Sequence, residues 1–259
     1  MRPSRALQRW QLRDRAADEG LLDHNPLVGM RLGSTHIGKR PIRRPVLSIQ
    51  QLLAGAERLA EEWGYGLWAQ AVTGAYTGMR WGEICGLDRR HCHLGGDEPY
   101  LEVDPDHGAL HEVGGKLWLG PPKSEAAARR IDLPGFLAGI LQQVIAAHSC
   151  DQLFISPEGE WWRRSNFSRR IWRPVFDGDT DRDRGPIAQA ATFHGSRHLH
   201  KTILDELDLP EVLEHDRMGY RMRGVSGVYS HVTPLMREQA RTRPEAHWQT
   251  ATAPHRKVA

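Results

Sequence analysis

The chain has 259 residues, 39% of them hydrophobic and 26% charged, a globular balance that excludes a wholly disordered polymer. No apolar run approaches the roughly 18 residues of a membrane-spanning helix, and the charged start MRPSRALQRW lacks the apolar core of a secretory signal. Cys85, Cys92 and Cys150 are too few and too scattered for a disulfide framework, so the chain reads as soluble and intracellular. The formal net charge is +3, and residues 1–46 hold ten Lys and Arg against four Asp and Glu. Positive charge concentrated at the N-terminus suits phosphate binding, and also a solvated basic tail.

Residues 5–20 have helical spacing, with Leu7, Trp10 and Ala17 among the apolar positions. Asn25-Pro26, several glycines, Pro41 and Pro45 then mark a basic linker over 29–46. A new unit opens at Leu47. Ser48 and Gln51 form a capping box, and LLAGAERLAEEW continues as an amphipathic helix. WAQAVTGAYTGMRWGEICGL reads as helical core broken near Thr77-Gly78. Between Tyr100 and Pro134 the segments YLEVD, ALHEV, KLWLG and RRIDLP are short and β-rich, separated by turn residues such as Gly114-Gly115, which predicts a small antiparallel sheet. Helical pattern returns in LAGILQQVIAAHS, SNFSRRIWRPVF, HGSRHLHKTILDEL and a final stretch around 233–247, with a polar loop at 177–186. The class is α+β, mainly α.

Several motifs fail on spacing. GPPKS (120–124) lacks the glycines of a phosphate loop. His91-Cys92-His93 places neighbours on opposite faces of a strand, with no second ligand pair at zinc spacing. Four other places belong together. In Thr77-Gly78-Met79-Arg80-Trp81-Gly82-Glu83, Arg80 follows a helix-breaking glycine and Glu83 can orient it from the same helical face. Pro122-Lys123-Ser124, followed by Arg129-Arg130, reads as a β-hairpin with Lys123 near its tip. His194 and Arg197 share a helical face, and Tyr229 stands in the polar block Gly227 to Val232. Singly, each has a plainer reading: a helix ion pair, a solvated strand edge, a core histidine, a packing tyrosine. The run from Trp161 to Arg173 interleaves aromatics with arginine, which fits a DNA-backbone contact or a helix with Phe167, Ile171 and Trp172 in the core.

In this order the four blocks resemble the catalytic domain of tyrosine recombinases, the phage-integrase family. That pattern has a TGxRxxE block, a hairpin lysine, an HxxRH block, a Gly-His pair, and a tyrosine nine residues after that histidine. The resemblance runs from about Leu47 to Val232, and Tyr229 lies 32 residues after Arg197, as in the family. One position departs: Met218-Gly219-Tyr220 puts a tyrosine where the family has His or Trp. The resemblance implies an integrase-like catalytic domain, helical with a small antiparallel sheet. It implies a catalytic set of Arg80, Lys123, His194, Arg197, Tyr220 and the nucleophile Tyr229, supported by Glu83 and His198. Lys39, Arg40, Arg43, Arg44 and Arg129 are the expected DNA contacts.

The implied activity is site-specific recombination through a 3′-phosphotyrosyl intermediate, with no metal or other cofactor. The partner is double-stranded DNA, with a tetramer at synapsis and a directionality factor, in the cytoplasm at the nucleoid. The expected domains are a core-binding remnant at 1–28, the linker 29–46, the catalytic domain 47–247 and a flexible tail 248–259. Activity is expected to be lowered by that truncation and by Tyr220. The competing readings are a degenerate integrase that binds DNA without recombining, a type IB topoisomerase, and a metal nuclease. The short chain and the HxxRH context disfavour the topoisomerase; the lack of a carboxylate cluster disfavours the nuclease.

Overall fold

The computed structural model describes residues 46–222 and 231–253. Tyr229, Lys39, Arg40, Arg43, Arg44, the segment 1–28 and almost all of the linker therefore lie outside the described residues.

Helix α1 (Ile49–Trp63) begins as its sequence dictates. Ser48 Oγ accepts from the Gln51 N–H at 3.1 Å, and Gln51 Oε1 accepts from the Ser48 N–H at 3.0 Å. Its buried face carries Leu52, Ala56 and Leu59 at helical spacing. Helix α2 (Tyr65–Thr77) is buried nearly all round from Leu67 onward, so it serves as the central rod against which α1 packs. It stops at Gly78, which adopts a left-handed conformation, φ +62°, open to glycine at little cost. The chain turns there into the short helix α3 (Trp81–Cys85), with Arg80 as its N-cap.

Five strands follow: β1 (Cys92–His93), β2 (Tyr100–Val103), β3 (Ala109–Val113), β4 (Lys116–Gly120) and β5 (Arg129–Asp132). All are antiparallel, as expected, but they divide between two sheets, β1-β2-β5 and the hairpin β3-β4. Leu101 pairs with Ile131, both buried, which fixes the β2–β5 register. This corrects the placement of Lys123. The hairpin tip is Gly114-Gly115, and Lys123 lies beyond β4 in the connection to β5. Pro121 and Pro122 cannot donate to a ladder, so β4 ends before them.

Helix α4 (Gly135–Ala147) packs on α2. A helical stretch of three parts comes next: α5 (Arg164–Phe167), a π-helical turn (Ser168–Trp172) and α6 (Arg173–Asp177). Helix α7 (Phe193–Glu206) also lies on α2. Helix α8 (Glu211–Met218) was not expected from the sequence, because only Val212, Leu213 and Met218 of its eight residues are apolar. Helix α9 (Pro234–Thr252) runs five residues past the boundary expected at 247. Trp248 stacks on Phe136 at 4.4 Å and meets Tyr76 edge-on at 5.6 Å, so it is part of the packed body and not of a tail.

Gly78 is also a contact point. A Cβ there would lie 2.6 Å from His200 Cδ2 and 2.8 Å from Met218 Sδ. Gly78→Ala is expected to destabilise the protein by about 1–3 kcal/mol, through the left-handed backbone and the displaced neighbours. The loss is read as a lower midpoint of denaturant unfolding with an unchanged slope.

Candidate active site

Three of the expected residues line one groove of about 510 Å³: Arg80 from the start of α3, Lys123 from the β4–β5 connection, and His194 from the first turn of α7. Its lining also includes Trp81, Phe167 and Phe193, held together by ring contacts of 4.6 to 5.9 Å. Lys123 is exposed. A residue not singled out for this site, Arg164, joins the lining. Its backbone N–H donates to Glu112 Oε2 at 3.0 Å, which ties α5 to the β3-β4 hairpin. The groove thus gathers three permanent cations (Arg80, Lys123, Arg164) and one carboxylate (Glu112). The basic run Trp161 to Arg173 was the signal for Arg164, and the run forms the helical stretch with its apolar residues in the core. Phe167, Ile171 and Trp172 are buried, while Arg169 and Arg170 are exposed.

Arg80 is oriented by Glu83, as its spacing predicted. Glu83 Oε1 accepts from Arg80 Nη1 at 2.6 Å, and Oε2 accepts from the Arg80 backbone N–H at 3.0 Å. Arg80 Nη2 donates to the Gly219 carbonyl at 3.2 Å. Arg197 is buried, and its two Nη groups donate to the carbonyls of Gly78 and Met218. Its guanidinium carbon lies 4.9 Å from the centre of the Tyr220 ring, a cation–π contact. Tyr220 is half exposed and meets His215 edge-on at 6.1 Å. So Arg80, Arg197 and Tyr220 converge on the C-terminal end of α8. Each guanidinium has five N–H groups, of which these contacts use two.

His194 and His198 lie one helical turn apart with ring centroids 4.9 Å apart. Partial burial of the His194 imidazole, then the charges of His198, Arg197, Arg164 and Arg80, lower its pKa below the ordinary value. It is therefore neutral at pH 7 and able to take a proton.

Arg129, expected at a DNA surface, is not there. Its side chain is 3% exposed, and it donates to Glu83 Oε2 at 3.1 Å and to the carbonyls of Arg217 and Ala127, each at 2.7 Å. Arg130, its neighbour on the strand, lies over the Tyr100 ring at 4.1 Å. His91 and His93 both approach Glu102, at 3.4 and 3.6 Å. Among the described residues no group of three or more His, Cys, Asp or Glu is arranged to hold a metal ion.

No protein-family model and no curated protein sequence matches the chain. Solved structures do. The integrase of transposon Tn1549 bound to transposon right-end DNA superposes with a TM-score of 0.61 at 16% identity, over 83% of this chain and 67% of that one. The same integrase with a circular-intermediate DNA gives 0.61 and 16%, over 91% and 73%. The integrase of mycobacterium phage Brujita gives 0.51 and 18%, over 93% and 73%. The chain has the fold of these integrases, helical with small antiparallel sheets. Among the described residues no helix is long and apolar enough to cross a membrane.

The electrostatics of His194 can be checked directly. Its imidazole proton resonance is expected to titrate below about 6.5, the unperturbed histidine value. Arg164→Ala, which deletes one of the opposing charges, is expected to move that midpoint upward. A His194 midpoint at or above the unperturbed value would contradict the arrangement.

Proposed function

We propose that the chain is a tyrosine recombinase, a site-specific DNA strand transferase that cuts and rejoins duplex DNA through a 3′-phosphotyrosyl link. The observation that carries this reading is the convergence of Arg80, Lys123 and His194 on one cationic groove, with Arg197 bound to the same helix end as Arg80. The integrase fold supports it, and the Tn1549 integrase was solved with DNA.

The reaction divides among these residues as follows. The Tyr229 phenol oxygen attacks the scissile phosphorus, and its proton passes to neutral His194. The bond from phosphorus to the 5′-oxygen breaks, and the Lys123 ammonium protonates that oxygen as it leaves. The products are a 3′-phosphotyrosine and a free 5′-hydroxyl, and rejoining is the reverse. A phenol with a pKa of about 10 is a weak nucleophile at neutral pH, so the transition state needs strong stabilisation. Arg80 and Arg197 supply it by donating to the non-bridging oxygens, where charge grows as phosphorus becomes five-coordinate. His198 stands beside His194, one helical turn on, and supports its ring. Tyr220 donates its hydroxyl to the phosphate in place of the family's histidine. Lys39, Arg40, Arg43 and Arg44 add backbone contacts to double-stranded DNA, and strand exchange proceeds in a tetramer of four such chains under a directionality factor. The phosphotyrosyl link conserves the energy of the phosphodiester, so the resemblance asks for no nucleoside triphosphate or metal.

Covalent capture tests this. The full chain is incubated with a random-sequence pool of nicked duplexes, and protease-sensitive adducts are recovered from a denaturing gel. Wild-type protein is expected to yield an adduct and Tyr229→Phe none, with DNA binding kept. A protein that binds DNA and yields no adduct is the degenerate binding module, and an adduct persisting in Tyr229→Phe removes Tyr229 as nucleophile.

On the sequence so recovered, Tyr220→His is expected to cleave faster than wild type, because an imidazole is a better donor near neutral pH than a phenol. A slower Tyr220→His would mean that the ring over Arg197 is itself adapted to this site.

A further inference from the structure

We propose that Arg129 is a positioning residue for the strand-transfer site: by sharing the Glu83 carboxylate with Arg80, it leaves Arg80 a net positive charge to offer a phosphate. The inference deepens the reading above and rests on it for the identity of the anion.

Glu83 is 1% exposed and holds two guanidiniums at once. Its Oε1 takes Arg80 Nη1, while its Oε2 takes both the Arg80 N–H and Arg129 Nη2. One carboxylate between two arginines leaves the group at a formal +1. Without Arg129, Arg80 and Glu83 would make a neutral pair at the wall of the groove. A neutral pair is a poor ligand for an anion whose charge grows in the transition state. Arg129 faces Glu83 and the carbonyls of Ala127 and Arg217, and it is not part of the lining of the groove that holds Arg80, Lys123 and His194.

The geometry explains the residue type. Arg129 reaches three acceptors on three separate segments: Glu83 on α3, Ala127 in the turn between Lys123 and β5, and Arg217 at the end of α8. A planar fork with several donors reaches all three at once, and the charge it sets opposite Glu83 is the part on which Arg80 depends. Burial and the charge of Arg80 weaken the hold of Arg129 on its proton, and Glu83 offsets them, so it remains charged. Glu83 stays ionised too. Burial alone would raise its pKa, but the charge of Arg129 and the hydrogen bonds from Arg80 bring it below the ordinary value.

The test compares wild type, Arg129→Gln and Arg129→Lys as full chains on two nicked duplexes. One carries an ordinary scissile phosphodiester and the other a methylphosphonate, which lacks the negative charge. On the phosphodiester, Arg129→Gln is expected to slow adduct formation by about 10–100-fold, less than the loss of a direct donor. Arg129→Lys, which keeps the charge, is expected to stay within about fivefold of wild type. On the methylphosphonate the Arg129→Gln deficit is expected to shrink to about twofold. An equal deficit on both substrates would mean that Arg129 only holds the fold together, and would overturn the proposal. Should Arg129→Gln fail to fold, Arg129→Lys carries the test, and a hundredfold loss in that folded variant overturns it. A second measurement is independent of catalysis. Sulfate is titrated while the side-chain NMR signals of Arg80 are followed, and Arg129→Gln is expected to bind severalfold more weakly than wild type. Equal sulfate affinities, including none in either protein, would overturn the inference. Failure of wild type to form any adduct, with the sulfate difference intact, would instead count against the strand-transfer reading alone.

Discussion

The last turn of α8 holds the site together. A helix ends with carbonyls that have no partner inside it, and they carry the negative end of the helix dipole. Here three successive carbonyls are taken by three arginines from three other elements: Arg217 by Arg129, Met218 by Arg197, and Gly219 by Arg80. The exchange satisfies both sides. Buried guanidiniums need acceptors, and the helix end supplies them without adding carboxylates that would cancel the cationic field.

Gly219 makes that approach possible. It adopts φ +62°, and a Cβ on it would lie 3.0 Å from both the Ala127 Cα and Arg129 Nη1. With no side chain in the way, the end of α8 presses against the turn that follows Lys123, and Tyr220 emerges over Arg197. One short helix end therefore sets the relative positions of Arg80, Arg197, Tyr220 and the segment behind Lys123. Helix α8 is in turn held from below by Arg217, which donates to His200 Nε2 at 3.1 Å and to the carbonyls of Asp132 and Tyr76 at 2.6 and 2.8 Å. Burial drives the Arg217 pKa down to about 10, still charged at neutral pH. Burial, then the charge of Arg217, depresses His200 well below its ordinary value, so it stays neutral and can accept that hydrogen bond.

What the sequence made legible was local. The Ser48–Gln51 box, the stop at Gly78 and the pairing of Glu83 with Arg80 all involve residues three or four apart, whose geometry follows from the helix itself. The four longer strands were legible from β-rich runs and turn residues, but not their partners. β5 pairs with β2 across an intervening hairpin, a choice made by the burial of Leu101 against Ile131, and this moved Lys123 off the expected hairpin tip. Arg129 illustrates the same limit. In a run of two arginines on a strand it reads as a basic edge, and only a carboxylate 46 residues away and a carbonyl 88 residues away in sequence show that it is interior. Helix α8 was missed for a related reason. Its apolar packing rests on two side chains, Leu213 and Met218, too few to make a pattern in the sequence, and its end is tied down by long-range arginine contacts.

Gathering arginines this closely works against stability, since like charges repel and each loses water on burial. Two buried carboxylates limit that cost, and each is shared. Glu83 serves Arg80 and Arg129. Asp132, 2% exposed, serves Arg130 at 2.9 Å and Arg237 at 2.8 Å, the latter reaching down from α9. Asp132 thus latches α9 to the edge of the sheet while its carbonyl holds Arg217. Pairing every buried arginine with its own acid would give a quieter interior and a groove with little field. Sharing leaves an excess of positive charge directed at one surface, and the packed aromatic and aliphatic body around α2 must supply the stability that this excess removes.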